Sequence, residues 1–169
     1  MKILVAYATR AGSTGEVAEA VGEVLCEAGE QADVLQLPFS GKLADYDAVV
    51  LGAPLYMFKW HKEALRFLRR NRGVLKALPI AVFALGPFND VEKEWNEVRD
   101  QLDKALLEFV WLSPVRVKIF GGKYDPTTLG FPYNLIPAKK SIPVTDLRDW
   151  DDIRTWAAEV AVRLRGVTD

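Results

Sequence analysis

Short runs of consecutive apolar residues, separated by segments of helical periodicity, constrain the fold of this chain more than any other feature. Residues 3–7, 48–52 and 80–85 are apolar at nearly every position rather than at alternate positions. That pattern is typical of strands buried on both faces. Segments 32–37 and 115–120 predict two further strands. Strands that alternate with helices form a parallel sheet covered on both faces, so the chain is predicted to be an α/β protein.

Helical periodicity predicts four helices. The apolar positions are Val17, Val21, Val24, Leu25 and Ala28; Trp60, Ala64, Phe67 and Leu68; Val91, Trp95, Val98, Leu102 and Leu106; and Ile153, Trp156, Ala157, Val160 and Leu164. Gly29 marks the end of the first helix, and Asn89 and Glu92 have the spacing of a capping box for the third. Five strands in 169 residues fit the smaller doubly wound fold, a three-layer sandwich with strand order 2-1-3-4-5.

Composition indicates one domain over residues 1–169 and excludes several classes of protein. The net charge of −1 points to neither a nucleic acid nor an acidic partner. The lone Cys26 leaves no internal disulfide and no cysteine/histidine cluster for zinc, and its place within the first helix favours a structural thiol. No apolar run is long enough for a membrane span, and we expect a cytoplasmic protein.

One segment interrupts the alternation of strands and helices. Residues 121–146 contain four prolines and no clear periodicity. Long irregular segments in compact domains are usually functional or disordered. We therefore treat 121–146 as an insertion after the fifth strand.

The segment between the first strand and the first helix is rich in small and hydroxyl-bearing residues. It consists of Thr9, Arg10, Ala11, Gly12, Ser13 and Thr14. In a doubly wound sheet, ligands bind at the carboxyl ends of the strands where the strand order reverses. Backbone N–H groups, hydroxyls and the start of a helix together suit a phosphate group. The same residues also fit plain helix capping, with Ser13 and Glu16 as a capping box.

Other phosphate chemistries are excluded by the same segment. It contains neither the GxxxxGK(S/T) loop of nucleotide hydrolases nor the GxGxxG dinucleotide fingerprint. A response regulator would need carboxylates after strands one and three, where this chain has Thr9-Arg10 and Gly52-Ala53-Pro54. A small cysteine phosphatase would need its nucleophile in the first loop, whereas Cys26 lies inside the helix.

The loop resembles the phosphate loop of the flavodoxin family, (S/T)-x-(S/T)-G-x-(S/T), at every position except Ala11, which lacks the third hydroxyl. The resemblance extends to the segments that follow strands three and four. It implies that FMN is the cofactor, with its phosphate held by residues 9–14. It also implies that these two segments clasp the flavin ring through Ala53, Pro54, Leu55, Tyr56, Leu85, Gly86, Pro87 and Phe88. Tyr56 and Phe88 are the candidates for stacking, although either aromatic could simply anchor its turn.

Four further features resemble the flavodoxin-type, quinone-dependent protoporphyrinogen oxidases. They are Ala8-Thr9-Arg10, the segment from Gly52-Ala53 to Trp60-His61 with a basic helix behind it, Gly121-Gly122-Lys123-Tyr124, and an insertion ending in Asp149-Trp150. The resemblance implies an enzyme that passes electrons from protoporphyrinogen IX through FMN to a quinone. Our main expectation is the broader one, an FMN-binding redox protein that carries electrons between partners, one of them a redox partner protein or a quinone. The quinone-dependent oxidase is the alternative, and an interaction module without redox activity is the second alternative.

A basic stripe is predicted on the second helix. It consists of Lys62, Arg66, Arg69 and Arg70, spaced to lie on one face opposite the apolar residues. A solvated helix face would explain it. It could equally bind an acidic partner, a propionate-bearing tetrapyrrole or the anionic inner face of a membrane.

Two aromatic or titratable residues near this helix are also ambiguous. Trp60 falls on the apolar face of the helix and is predicted to lie in the core. His61, the only histidine, fits either a polar position at the helix start or a proton relay beside the flavin.

Overall fold

The computed structural model describes residues 1–56, 59–128, 135 and 143–168. The strands are β1 (Lys2–Tyr7), β2 (Gln31–Gln36), β3 (Ala48–Tyr56), β4 (Lys59–Trp60), β5 (Ile80–Leu85), β6 (Arg116–Phe120), β7 (Lys123–Tyr124) and β8 (Thr145–Asp146). The helices are α1 (Ser13–Glu27), α2 (Lys62–Arg70), α3 (Arg72–Leu75), α4 (Glu92–Leu107) and α5 (Trp150–Thr168).

The main sheet confirms the predicted α/β fold. Within the described residues, five parallel strands run in the order β2-β1-β3-β5-β6, and β4 is added antiparallel to the end of β3. Counting only the parallel strands, this is the predicted order 2-1-3-4-5. Helices α1 and α5 cover one face of the sheet and α2 to α4 the other, which gives the three layers.

The third strand is longer than its apolar run predicts. The sequence predicts a loop after Gly52, but β3 continues to Tyr56, and β4 pairs antiparallel with its end. The indole N–H of Trp60 donates to the carbonyl of Ala53 at 3.1 Å. Trp60 is buried as predicted, but it lies in β4 rather than on the helix, which begins at Lys62. The pairing with β4 thus keeps the end of β3 extended.

Neither of the expected capping boxes forms. Helix α1 begins after Gly12, which has a positive φ of 92° and no side-chain cap, so Ser13 does not cap it. Helix α4 begins after Val91, also without a side-chain cap. Asn89 instead donates its side-chain amide to Glu94 at 2.8 Å. In both cases, the two residues have the spacing of a capping box, but the residue that precedes the helix is a different one, Gly12 for α1 and Val91 for α4.

Gly52 is required by packing within the sheet. It pairs with Phe83 across β3 and β5, and a Cβ at Gly52 would lie 2.0 Å from the ring of Phe83. That ring is fully buried and packs against Phe120 and Trp156, with ring centroids 6.0 and 5.9 Å away. The absent side chain of Gly52 therefore provides the space that the aromatic cluster occupies.

The described part of the insertion forms a small sheet. Lys123 and Tyr124 of β7 pair antiparallel with Thr145 and Asp146 of β8. Residues 129–134 and 136–142, which include two of the insertion's prolines, lie outside the described residues. Among the helices of the described part, none is both long enough and apolar enough to cross a membrane.

Candidate functional site

A cleft opens at the carboxyl ends of β1, β3 and β5, the position expected for a ligand in a doubly wound sheet. It contains about 620 Å³ of empty space, a volume that includes space open to solvent. The lining residues are Arg10, Ala11, Ser13, Thr14, Pro54, Tyr56, Leu85, Phe88, Gly122, Lys123, Tyr124, Asp125 and Thr128.

The loop from Thr9 to Thr14 forms one end of the cleft. The Thr9 hydroxyl accepts the N–H of Gly12 at 2.9 Å, which tightens the loop. The left-handed conformation of Gly12 then turns the chain directly into α1. The N–H groups of Ser13 and Thr14 come first in the helix, and helical geometry provides no intrahelical acceptor for them. An anion in the cleft would satisfy them.

Thr14 carries an unpartnered hydroxyl at this end of the cleft. The residue is 0% exposed, and within the described part of the chain its Oγ1 atom has no hydrogen-bond partner. A buried hydroxyl without a partner is destabilising by about 1–3 kcal/mol. Since Thr14 lines the cleft, a ligand oxygen there would supply the missing partner. This orphaned donor is the observation that most favours an oxygen-rich anion at the start of α1.

Aromatic side chains form the walls of the cleft. Tyr56, at the end of β3, lies beneath the guanidinium of Arg10, which is 4.2 Å from the ring centroid. On another wall, Phe88 meets Tyr124 edge to face, with centroids 5.9 Å apart. With Pro54 and Leu85, these rings make the wider part of the cleft mostly apolar. Such walls suit a planar, partly apolar ligand.

Not all the residues expected at the site lie at the cleft. Along β3, side chains alternate, so Pro54 and Tyr56 face the cleft while Ala53 and Leu55 are buried in the core beneath α2 and α4. Six of the expected residues do not line the cleft: Thr9, Gly12, Ala53, Leu55, Gly86 and Pro87. Of these, Leu55, Gly86 and Pro87 line a separate hollow against α4.

The insertion contributes cleft residues that were not predicted as site residues. These are Gly122, Lys123, Tyr124, Asp125 and Thr128. Their backbone is tied to the neighbouring loop, because the Gly122 N–H donates to the Pro87 carbonyl at 2.7 Å. The Gly121-Gly122-Lys123-Tyr124 segment was noted in the sequence, but nothing in it indicates a contact with the first loop.

Arg148 links the insertion to the start of α1. Its side chain is only 3% exposed. Its guanidinium donates to both carboxylate oxygens of Asp146, at 2.8 and 2.7 Å, and to Glu16 at 2.8 Å. It also reaches the Ser13 carbonyl at 3.4 Å. A buried guanidinium that is shared by two carboxylates fixes β8 against the first turn of α1.

His61 lies at the start of α2, as one of its two interpretations predicts. Its Nδ1 accepts the N–H of Glu63 at 3.3 Å and caps the helix. Burial lowers the pKa of His61 below its ordinary value of 6.5, so the imidazole is neutral near pH 7. A neutral ring is what an Nδ1 acceptor requires. Its role as a proton relay stays a prediction.

We expect the Arg148 link to weaken in acid. The hydrogen bonds from Arg148 lower the pKa of Asp146 below its ordinary value of 3.8. A depressed carboxyl pKa contributes stability above the unfolded-state pKa and loses it as the pH falls through the folded-state pKa. The difference in unfolding free energy between the wild type and Asp146→Asn should therefore be largest near neutrality and shrink below pH 3.8. Urea unfolding across this pH range measures it, and a pH-independent difference would contradict the link.

The fold and the cleft together define a doubly wound α/β protein with a ligand site at the carboxyl ends of its strands. The sequence model of the flavodoxin domain matches residues 4–134, which is most of the chain. The chain belongs to the flavodoxin domain family.

Curated relatives and solved structures agree with this assignment. The chain is 27% identical over 172 residues to protoporphyrinogen IX dehydrogenase (quinone) of Escherichia coli strain K12, covering 95% of each chain. The same values hold for the protein of that name in E. coli O157:H7. Oxidised Flavodoxin 1 from Bacillus cereus superposes with a TM-score of 0.61 at 17% identity, covering 98% of each chain. A short-chain flavodoxin associated with a bacterial microcompartment gives 0.64 at 18% identity, covering 100% of this chain and 99% of that one. At 17% and 18% identity, the likeness to these two solved structures supports the fold alone.

Proposed function

We propose that this protein binds FMN in the cleft and transfers electrons between the flavin and a redox partner. The observation that carries the proposal is the buried, unpartnered hydroxyl of Thr14, located where a flavodoxin-type loop would hold a phosphate. Membership of the flavodoxin domain family supports it independently.

The cleft residues fit the two chemical halves of FMN. At one end, Thr14 and the first N–H groups of α1 would donate to the phosphate, as helix starts commonly do. At the other end, Tyr56 and Phe88 would lie against the flat ring, with Pro54 and Leu85 excluding water from it. Ala11 offers no hydroxyl, so the loop has one donor fewer than the family pattern.

The chain's own residues would act by binding and shielding rather than by acid–base catalysis. When bound, FMN supplies one- or two-electron transfer at its isoalloxazine ring. Stacked aromatics and a dry apolar wall are the means by which a protein tunes the energy of the charge that the ring gains. Tyr56 and Phe88 are the residues placed for this role.

Electron transfer is tested on FMN-loaded protein under anaerobic conditions. The flavin absorption should bleach on addition of dithionite and return when a soluble quinone is added in excess. A loaded protein whose flavin cannot be reduced, or once reduced passes electrons to neither a quinone nor a protein acceptor, would argue against the redox role. The outcome with a protein acceptor in place of the quinone would distinguish a carrier from a quinone-dependent enzyme.

A second candidate function is quinone-dependent oxidation of protoporphyrinogen IX. It is supported by the E. coli relative of that name, which aligns over 95% of the chain. The basic stripe on α2 also favours it, because Lys62, Arg66, Arg69 and Arg70 are all exposed. The stripe starts beside the cleft, since the N–H of His61 donates to the Pro54 carbonyl at 3.2 Å. Propionate groups are ligands that exposed cations would bind.

The four cations of the stripe are not equivalent. Arg66 is paired with Glu63 at 2.5 Å and Arg69 with Glu108 at 2.7 Å. Lys62 and Arg70 have no ion-pair partner in the described part of the chain. These two residues should therefore contribute most to the binding of an anionic substrate.

Removing both charges tests the stripe. In protoporphyrinogen oxidation with a quinone acceptor, Lys62→Gln/Arg70→Gln should raise KM about 3- to 10-fold, because each exposed ion pair contributes up to about 1 kcal/mol. The turnover number kcat should stay unchanged, since propionates are remote from the reacting atoms. The matched control is Lys93→Gln/Lys104→Gln, which removes two charges from exposed positions on α4. An equal effect in both variants would show that only net charge matters.

A further inference from the structure

Lys123 lines the cleft but belongs neither to the phosphate loop, residues 9–14, nor to the aromatic walls. It lines the cleft together with Ser13 and Thr14, although it comes from β7 of the insertion. Its backbone is fixed on two sides, by pairing with Asp146 and by the neighbouring Gly122–Pro87 hydrogen bond. Its side chain is 29% exposed, so the ammonium group is partly desolvated and close to the start of α1.

The ammonium group of Lys123 is only loosely held. Its nearest acidic partner is Glu16, with Nζ and Oε1 3.9 Å apart, which is too far for a hydrogen bond. The other oxygen of Glu16 is already engaged by Arg148 at 2.8 Å. Glu16 therefore needs no contribution from the lysine, and Lys123 can turn towards an anion in the cleft while Glu16 stays paired.

The acidic neighbours of Lys123 are similarly engaged. Asp146 accepts two hydrogen bonds from the Arg148 guanidinium and one from the Arg148 backbone N–H, and Asp125 accepts two from Thr127, at 2.9 and 2.7 Å. Arg148 is nearly buried and bound to two carboxylates, so it cannot turn to a ligand without breaking both pairs. Lys123 and Arg148 are the two cations that β7 and the residues after β8 bring to the start of α1. Of these two, Lys123 is placed to reach the cleft.

We propose that Lys123 binds the phosphate group of FMN and makes the insertion a specificity element that favours FMN over unphosphorylated flavin. The proposal rests on the proposed function and adds to it a residue outside the phosphate loop. Arg148 is the positioning residue, because it holds Glu16 and Asp146 and thereby fixes β8, which pairs with the strand that carries Lys123.

The test compares flavins with and without a phosphate. Dissociation constants of FMN and riboflavin are measured by flavin fluorescence for the wild type and for Lys123→Gln. Losing one charge-assisted hydrogen bond should weaken FMN binding about 10-fold and leave riboflavin binding unchanged. The variant's FMN affinity should also depend less on salt concentration than that of the wild type. Lys123→Arg, which keeps the charge, should retain most of the FMN affinity.

The matched control is Lys118→Gln. It removes the same charge from β6, but Lys118 is paired with Asp152 at 2.8 Å and does not line the cleft. An equal loss of FMN affinity in both variants would overturn the proposal, as it would reflect net charge alone. Equal losses for FMN and riboflavin in Lys123→Gln would overturn it too, because Lys123 would then support the pairing of β7 with β8 rather than bind the phosphate.

The two levels of the proposal fail in different ways. If wild-type protein binds no FMN, the proposed function itself is wrong. If the wild type binds FMN and Lys123→Gln binds it equally well, only the role of Lys123 is wrong.

Discussion

Replacing Thr14 with valine should weaken FMN binding about 10- to 100-fold, which is the effect of losing a hydrogen bond to a charged group. The same substitution should raise the free energy of unfolding of the flavin-free protein by about 1 kcal/mol. The two effects have opposite signs because the hydroxyl of Thr14 is buried with no partner in residues 1–56, 59–128, 135 and 143–168, and a ligand would supply one. Valine has nearly the same shape and removes only the polar atom. Urea unfolding and flavin titration measure the two quantities.

Thr145→Val is the matched control for this experiment. The hydroxyl of Thr145 is also buried without a partner among the described residues, but Thr145 does not line the cleft. The Thr145→Val variant should also have a higher free energy of unfolding than the wild type, and it should keep the wild-type affinity for FMN. A Thr14→Val variant that binds FMN as tightly as the wild type would show that the hydroxyl of Thr14 does not contact the phosphate.

Gly52→Ala should destabilise the protein by about 3 kcal/mol, at the upper end of the usual cost of overpacking a core. The new Cβ would lie 2.0 to 2.5 Å from three atoms of the Phe83 ring. That ring cannot move aside easily, because Phe120 and Trp156 pack against it. Chemical denaturation of the flavin-free protein measures the loss without reference to any ligand.

A second substitution separates this clash from a general effect of removing glycine. Shortening the neighbour in Gly52→Ala/Phe83→Leu should recover part of the loss, so that the double variant is more stable than the sum of the single effects predicts. Gly166→Ala, in α5 with nothing within 4 Å of the new Cβ, should instead gain up to about 1 kcal/mol. Equal losses at both glycines would contradict the packing explanation.

The sequence predicted most of the fold because its buried strands carry a strong local signal. Continuous apolar runs located three of the five parallel strands, segments 32–37 and 115–120 located the other two, and helical periodicity located every helix of the described residues except the short α3. The pairing of β4 with β3 was missed because its stabilising contact, from the Trp60 indole to the Ala53 carbonyl, leaves no periodic pattern in the sequence. Trp60 has the correct spacing for a helix face and is nevertheless a strand residue.

The candidate site was less accessible to sequence reasoning. The residues between the first strand and the first helix, together with the resemblance to the flavodoxin family, identified Arg10, Ser13, Thr14, Tyr56 and Phe88, all of which the fold brings to one cleft. Neither identified the contacts between distant segments. Arg148 and Glu16 are 132 positions apart, and nothing in either local sequence indicates the pair. The alternation of side chains along the end of β3, which turns Ala53 and Leu55 into the core, required the strand to be recognised first.

The most direct test of the central claim is whether the cleft holds FMN. Purified protein is mixed with excess FMN, passed through gel filtration, and its visible absorption is compared with its protein concentration. We predict that the wild type retains one FMN per chain. The Thr14→Val variant, treated in the same way at low flavin concentration, should lose its flavin. A wild-type protein that emerges colourless would contradict the account. The start of α1 would then be an ordinary helix terminus, and the stripe on α2 would be the place to look for a function.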